Sequence, residues 1–116
     1  MGPYEAAFRD IDGDERQVLL VAEQEGRVVG TAQLSFLPGL SRRGAMRGQI
    51  EAVRVDSGVR GGGLGTRLIE ECVRLARERG CVIVQLTSDA SRTEAHRFYE
   101  RLGFEATHVG FKRTLA

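Results

Sequence analysis

Between Gly58 and Gly65 the chain carries five of its 15 glycines, in the run Arg60-Gly61-Gly62-Gly63-Leu64-Gly65-Thr66. Residues of that type at that density suit one kind of chemistry. With no Cβ atoms in the way, successive backbone N–H groups can converge on an anion. An amphipathic pattern starts at Leu64, so the run also opens a helix, whose free N–H groups and positive dipole end favour a phosphate there. Arg60 adds a charge with bidentate reach to phosphate oxygens. A simple strand–helix turn needs one or two glycines rather than four of five successive positions, so an anion site is the stronger reading. Neither nucleotide version of such a loop fits. Gly65 is followed by Thr66-Arg67 instead of the Lys-Ser/Thr of a Walker loop, and a dinucleotide fingerprint begun at Gly61 would end on Thr66.

Other residues with chemical potential are more readily assigned to structure. Cys72 falls deep in the helical pattern and Cys81 opens an apolar run, so both read as reduced core thiols rather than nucleophiles. His96 and His108 are isolated, and no His/Cys cluster has zinc spacing, so no metal is expected. His96 reads as a surface helix residue.

The elements that must position the loop follow from periodicity. Gln17 to Ala22 and Arg27 to Leu37 read as a β-hairpin turning at Glu25-Gly26. Pro38 to Gly48, with three glycines and three arginines, reads as an exposed loop. Gln49 to Val55 alternates, placing Ile50, Ala52 and Arg54 on one face and Glu51, Val53 and Val55 on the other. Leu64, Leu68, Cys72 and Ala76 form the stripe of an amphipathic helix that Gly80 stops. Cys81 to Leu86 suits a strand buried on both faces. Ser91-Arg92-Thr93-Glu94 has the form of a capping box for a second helix running to about Leu102, where Gly103 ends it. Phe104 to Leu115 should supply one or two closing strands. A short helix fits within Glu5 to Ile11, while Met1-Gly2-Pro3 reads as carrying no fold information. Strand–helix–strand from Gln49 to Leu86 implies a parallel pair with a right-handed crossover. The class is mixed-sheet α/β in a single domain, with residues 1–16 as a short N-terminal segment and 17–116 as hairpin plus core.

Two segments together resemble a known family. Val53-Arg54-Val55-Asp56 followed by Arg60-Gly61-Gly62-Gly63-Leu64-Gly65 resembles motif A of the GCN5-related N-acetyltransferases (GNAT), whose Arg/Gln-x-x-Gly-x-Gly/Ala pattern is met by Arg60, Gly63 and Gly65. Ala95-His96-Arg97-Phe98-Tyr99-Glu100-Arg101-Leu102-Gly103-Phe104 is similar to the family's A-x-x-F-Y-x-x-x-G-F segment, at the expected distance. The resemblance runs from about Leu19 to the C-terminus. It implies acetyl-CoA as cosubstrate, its pyrophosphate on the amides of Arg60, Gly61, Gly62, Gly63, Leu64, Gly65 and Thr66. It also implies a pantetheine arm lying where strands 49–55 and 81–87 splay apart, with Val53, Arg54 and Val55 alongside it. The reaction implied is direct attack of an unprotonated amine on an acetyl thioester. Glu51 is then the candidate base, two residues before Val53 and on its face, with desolvation raising its pKa. The alternative for Glu51 is an ion pair with Arg47 or Arg54. Tyr99 matches the family position near the coenzyme sulfur and would donate to the departing thiolate. Its alternative is a core aromatic beside Phe98. The Val53 amide is the natural oxyanion donor. Where many relatives hold Asn three residues before the motif alanine, this chain has Arg92, which puts that contact in doubt and offers a phosphate contact instead.

Composition bounds these readings. A chain of 116 residues with 17 basic and 16 acidic side chains has a formal net charge of +1, too balanced for nucleic-acid wrapping. All basic residues but Lys112 are arginine, a bias with no physical account here. No apolar run approaches the roughly 20 residues of a membrane span, and with no signal-peptide pattern the expected location is cytoplasmic. Relatives usually begin with a further strand and one or two helices that wall the acceptor site. Only about 16 residues precede the hairpin here, so most of that unit is expected to be missing and a homodimer partner to complete the wall. The acceptor is an amine of a small molecule, peptide or protein, and the three arginines of residues 38–47 fit either selection of an acidic or carboxylate-bearing acceptor or an ordinary solvated loop or dimer contact. The competing function is a noncatalytic acyl-CoA-binding or interaction module with an incomplete acceptor site.

Overall fold

The computed structural model describes residues 2–59 and 61–115. The elements are α1 (Pro3–Asp12), β1 (Gln17–Gln24), β2 (Arg27–Leu37), α2 (Ser41–Gly44), β3 (Arg47–Val55), α3 (Leu64–Glu78), β4 (Ile83–Leu86) and α4 (Thr93–Arg101), with a 3-10 turn at Ser57–Val59. Four strands form one sheet in the order β1-β2-β3-β4. The first two pairings are antiparallel and β3–β4 is parallel, which is the mixed α/β class read from the sequence. The fold divides into two compact units, Met1–Leu86 and Thr87–Ala116.

In the first unit, α1 starts on Pro3, where the missing N–H has no helical partner to lose. Pro3 therefore does carry fold information, and the helix extends past both ends of the expected Glu5–Ile11. The β1–β2 turn uses Glu25 (φ 52°) and Gly26 (φ 77°), the paired positive φ values whose twist matches a right-twisted hairpin. α3 buries Leu68, Ile69, Cys72 and Ala76, every three or four residues as its pattern demands, and Gly80 follows at φ 82°. That stripe covers the sheet face on which Ala32, Leu34, Phe36 and Ile50 are buried. Two glycines let it sit close. A Cβ on Gly48 would lie 3.4 Å from the Ala76 Cβ, and one on Gly30 would lie 3.0 Å from Leu68 Cδ1. At the far end the Arg79 guanidinium stacks 4.2 Å from the Phe36 ring centroid while donating to the Glu15 carbonyl at 2.7 Å.

In the second unit, α4 is followed by Leu102 and then Gly103 at φ 93°, a left-handed stop. Tyr99 packs edge-on against Phe98 and Phe104, with ring centroids 5.1 and 5.9 Å apart.

Three expectations are corrected. β4 is an edge strand paired only with β3, and Val82 is 58% exposed, so this run is not buried on both faces. Its continuous apolarity comes from residues that each cover one side of an edge. The capping box does not form: Arg92 is the N-cap of α4 with no side-chain cap, and Ser91 donates from both N (2.9 Å) and Oγ (2.6 Å) to Asp89 Oδ1. The Asx turn at Asp89 captures the serine first. Residues 104–115 form no strand, and Val109, Phe111 and Leu115 stand 79–93% exposed. β-propensity makes a strand only where a ladder partner exists.

Candidate functional site

The glycine run sits where the sequence places it, between the end of β3 and the start of α3. Its first anchor is Asp56. Its N–H donates to the Val29 carbonyl (2.8 Å), its Oδ1 accepts from Gly58 N–H (3.0 Å), and its Oδ2 pairs with Arg27 at 3.2 Å. The chain then turns through Gly61 (φ 90°) and Gly63 (φ 78°), conformations that L side chains rarely adopt. Gly63 is the N-cap of α3, without any side-chain cap, and the first helical bond runs from Arg67 N–H to the Gly63 carbonyl at 3.1 Å. The amides of Gly65 and Thr66 therefore have no acceptor four residues back among the described residues, and with that of Leu64 they sit at the positive end of a 15-residue helix. Arg60 lies outside the described residues.

The pairing of β3 with β4 is short. Their ladder runs from Arg47↔Ile83 to Ile50↔Leu86 and stops, while β3 continues to Val55 paired with β2. At that point β3 bulges. Thr31 faces Arg54 and Gln33 faces Glu51, so Ala52 and Val53 together oppose Ala32. Ala52 holds φ 52°, and its carbonyl accepts from Thr31 Oγ1 at 3.3 Å. The extra residue reverses the alternation. Val55 opposes Gly30 and shares the α3-covered face with Ile50, whereas Arg54 and Glu51 share the opposite face. The expectation that Glu51 lies on the face of Val53 and Val55 is thus overturned. Glu51 is also exposed, so the desolvation argument for it does not apply, and among the described residues it forms no salt bridge with Arg47 or Arg54. Its face is polar. Gln33 donates to Gln17 at 2.7 Å, and Gln85 donates to Gln49 at 2.7 Å.

Tyr99 and Arg92 belong to the second unit. Burial pushes the Tyr99 phenol up from its ordinary value, against the smaller opposing pull of the Arg92 charge, so it is an O–H donor at neutral pH. Arg92 is exposed, as is Arg54. His96 is tied to the Asp89 carbonyl by Nε2 at 2.8 Å, a structural use. Both cysteines are free, and Cys72 is buried with its thiol pushed up to about 11, by burial first and then by the Glu71 charge. Burial also raises the Cys81 thiol, against the smaller opposing pull of the Arg79 charge, so neither is activated as a nucleophile. Among the described residues no three His, Cys, Asp or Glu side chains are grouped to hold a metal ion.

Sequence reasoning missed Asp56 as the loop's anchor and Ala52 as its bulge. Asp56 was within reach, since Asp two residues before Gly is an Asx-turn signal. An alanine with positive φ leaves no signal.

Residues 1–104 match the model of the Acetyltransferase (GNAT) family, and the chain belongs to that family. It is 43% identical over 81 residues to glucosamine 6-phosphate N-acetyltransferase of Trypanosoma brucei brucei, an alignment covering 70% of this chain and 53% of that protein. It is 30% identical over 95 residues to aminoalkylphosphonate N-acetyltransferase of Salmonella typhimurium, covering 82% of this chain and 61% of that one. The chain spans about half the length of the curated relatives it matches. Among solved structures, a protein described as a transcriptional regulator from Bacillus halodurans superposes with a TM-score of 0.94 at 43% identity, covering 97% of this chain and 75% of that one.

Proposed function

We propose that this chain is an N-acetyltransferase that moves the acetyl group of acetyl-CoA to a primary amine by direct attack. One observation carries the reading. The uncapped, glycine-led start of α3 and the stretch of β3 released from β4 adjoin along one chain path, from Ala52 through Thr66. That path suits a long ligand with a phosphate at one end and amide groups along its arm. The amides from Gly61 to Thr66 would hold the pyrophosphate, with Arg60, Arg54 and Arg92 supplying charge. The free edge of β3 at Val53 and Val55 would receive the arm as an added strand would be received. The cosubstrate supplies an acetyl thioester when bound.

The chain's own groups then divide the work. Glu51 accepts the proton the acceptor nitrogen loses as its N–C bond forms. The Val53 amide donates to the carbonyl oxygen. The Tyr99 hydroxyl donates to sulfur as the C–S bond breaks, and burial, which keeps that phenol protonated, supports the role. The reading includes a cytoplasmic location and a homodimer, for which exposed Val109, Phe111 and Leu115 are available apolar surface.

The exposure of Glu51 favours a second reading, a noncatalytic acyl-CoA-binding module. Calorimetric titration with acetyl-CoA, followed by thiol release over a panel of amines, separates the two. Binding with turnover is expected, together with a low-pH rate limb that Glu51→Gln flattens. Binding without turnover on any amine supports the module, and no binding refutes both.

A further inference from the structure

The strand that carries Glu51 begins in a basic loop whose structure the acetyl transfer does not use. Residues 38–47 contain Arg42, Arg43 and Arg47 and no acidic side chain, in a chain whose net charge is only +1. Arg42 (φ 52°, ψ 42°) and Arg43 (φ 61°, ψ 37°) are both left-handed, and Gly44 follows at φ 77°. The single turn α2 is therefore wound the wrong way for L residues, which costs roughly 1–2 kcal/mol for each arginine. Both side chains remain exposed.

Arg47 differs from these two. It opens β3 opposite Leu37 and Ile83, and the alternation to buried Gly48 and Ile50 puts it on the face away from α3. That is the face of Gln49 and Glu51. The Arg47 side chain folds back under the loop, where its NH1 lies 3.2 Å from where a Cβ on Gly39 would stand. Its Nε is buried and has no hydrogen-bond partner among the described residues, and no carboxylate there pairs with it. A guanidinium N–H withdrawn from water without an acceptor is costly, and an anion held by the terminal nitrogens of the same guanidinium would offset part of that cost.

We infer that Arg47, with Arg42 and Arg43 of the same loop, selects acceptor amines that carry a phosphoryl group, a phosphate monoester or a phosphonate. The inference rests on the acetyltransferase reading and adds the other end of its substrate. Arg47 and Glu51 are four residues apart on one regular stretch of strand, so their Cα atoms stand about 13 Å apart. Both belong to the face away from α3, and that spacing matches a short skeleton with an amine at one end and a dianion at the other. Guanidinium matches two phosphoryl oxygens at once, which a carboxylate-bearing acceptor exploits less fully. Two relatives with different acceptors, glucosamine 6-phosphate and an aminoalkylphosphonate by their names, share this pairing of amine and phosphoryl group.

The test compares glucosamine, glucosamine 6-phosphate, 2-aminoethylphosphonate and glutamate as acceptors for the full chain. The phosphoryl amines are expected to exceed glucosamine in kcat/KM by about 10- to 100-fold, one or two charge-assisted bonds' worth. Arg47→Ala should erase most of that preference, chiefly through KM, with the acetyl-CoA dissociation constant confirming a folded protein. Because Arg47 is partly buried, Arg42→Gly with Arg43→Gly provides a second route. It removes two charges where glycine suits the backbone, so the preference should fall while thermal stability holds or rises. Separately, thermal stabilisation by glucosamine 6-phosphate, lost in Arg47→Ala, reads recognition without turnover. Equal kcat/KM for glucosamine and its 6-phosphate would overturn the inference and leave the acetyltransferase reading standing. Stabilisation by glucosamine 6-phosphate with no transfer to any amine would keep the phosphoryl site and overturn that reading.

Discussion

Gly30→Ala tests whether the seating of α3 on the sheet sets the coenzyme loop. Gly30 opposes Val55, the last residue of β3 before the loop departs. A Cβ there would stand 3.0 Å from Leu68 Cδ1, 3.3 Å from Leu64 Cδ2 and 3.4 Å from the Arg54 carbonyl oxygen. Carbon atoms settle at about 3.5–4.0 Å, so the two leucine contacts are too close, while the carbonyl contact is an ordinary one that leaves no slack on that side. Leu68 is 6% exposed and cannot swing into solvent, and the carbonyl belongs to the paired strand. Overpacking of this kind costs roughly 1–3 kcal/mol. Against it, replacing a strand glycine by alanine gains about 0.5–1 kcal/mol. The overpacking term wins, and the expected net loss is on the order of 1 kcal/mol. The cheapest relief is an outward shift of the first turns of α3, which carries the Leu64–Thr66 amides with it. Urea unfolding should therefore show a lower midpoint at unchanged m, and calorimetry a weaker acetyl-CoA affinity in the folded protein. Trimming Leu68 to valine in the same chain should restore part of both. A Gly30→Ala protein as stable as the parent, with unaltered affinity, would refute the close-packing argument and its link to the loop.

Three further outcomes are expected. Ala52→Gly should stabilise the fold by about 1 kcal/mol, because glycine accepts the positive φ that alanine strains to hold; chemical denaturation measures it. Cys72 should resist a thiol reagent until unfolding. Its folded pKa lies above its unfolded value near 9, so its stabilisation is complete below pH 9 and is lost as pH rises toward about 11, roughly 2 kcal/mol that a denaturation series against pH reads. Tyr99→Phe should lower kcat by about 100-fold or more with little change in acetyl-CoA affinity, and equal turnover would remove Tyr99 from the chemistry.

The part of the fold around the glycine loop was legible because its signals are local. A run of glycines, an apolar stripe at every third or fourth residue and a hairpin turn each determine their own conformation. The C-terminal stretch shows the converse. Val109 and Phe111 carry strand propensity, yet a strand is a relation between two segments, and propensity names only one of them. The capping box failed for a related reason. Ser91 has two competing partners within reach, the backbone N–H three residues on, which would donate to its Oγ, and the Asp89 carboxylate two residues back, which accepts from it, and the nearer, charged one wins.

The bulge at Ala52 has the largest consequence for chemistry. Strict alternation from Gln49 to Val55 puts Glu51 on the face of Val53 and Val55, whereas one extra residue sends Glu51 and Arg54 to the polar face and Val55 under α3. The same insertion leaves Ala52 and Val53 facing a single partner residue, so part of their backbone is freed from the ladder at the point where β4 ceases to pair. A donor for a carbonyl oxygen therefore lies in the plane of the sheet, and the carboxylate stands out of that plane on the side where Arg47 also lies. An acceptor amine would approach from the polar face and the acetyl donor along the strand edge, so the two need not compete for one surface. If Glu51 is the base proposed above, its exposure would let it meet a soluble amine, and its environment would change only when that amine, with its phosphoryl group on Arg47, is bound.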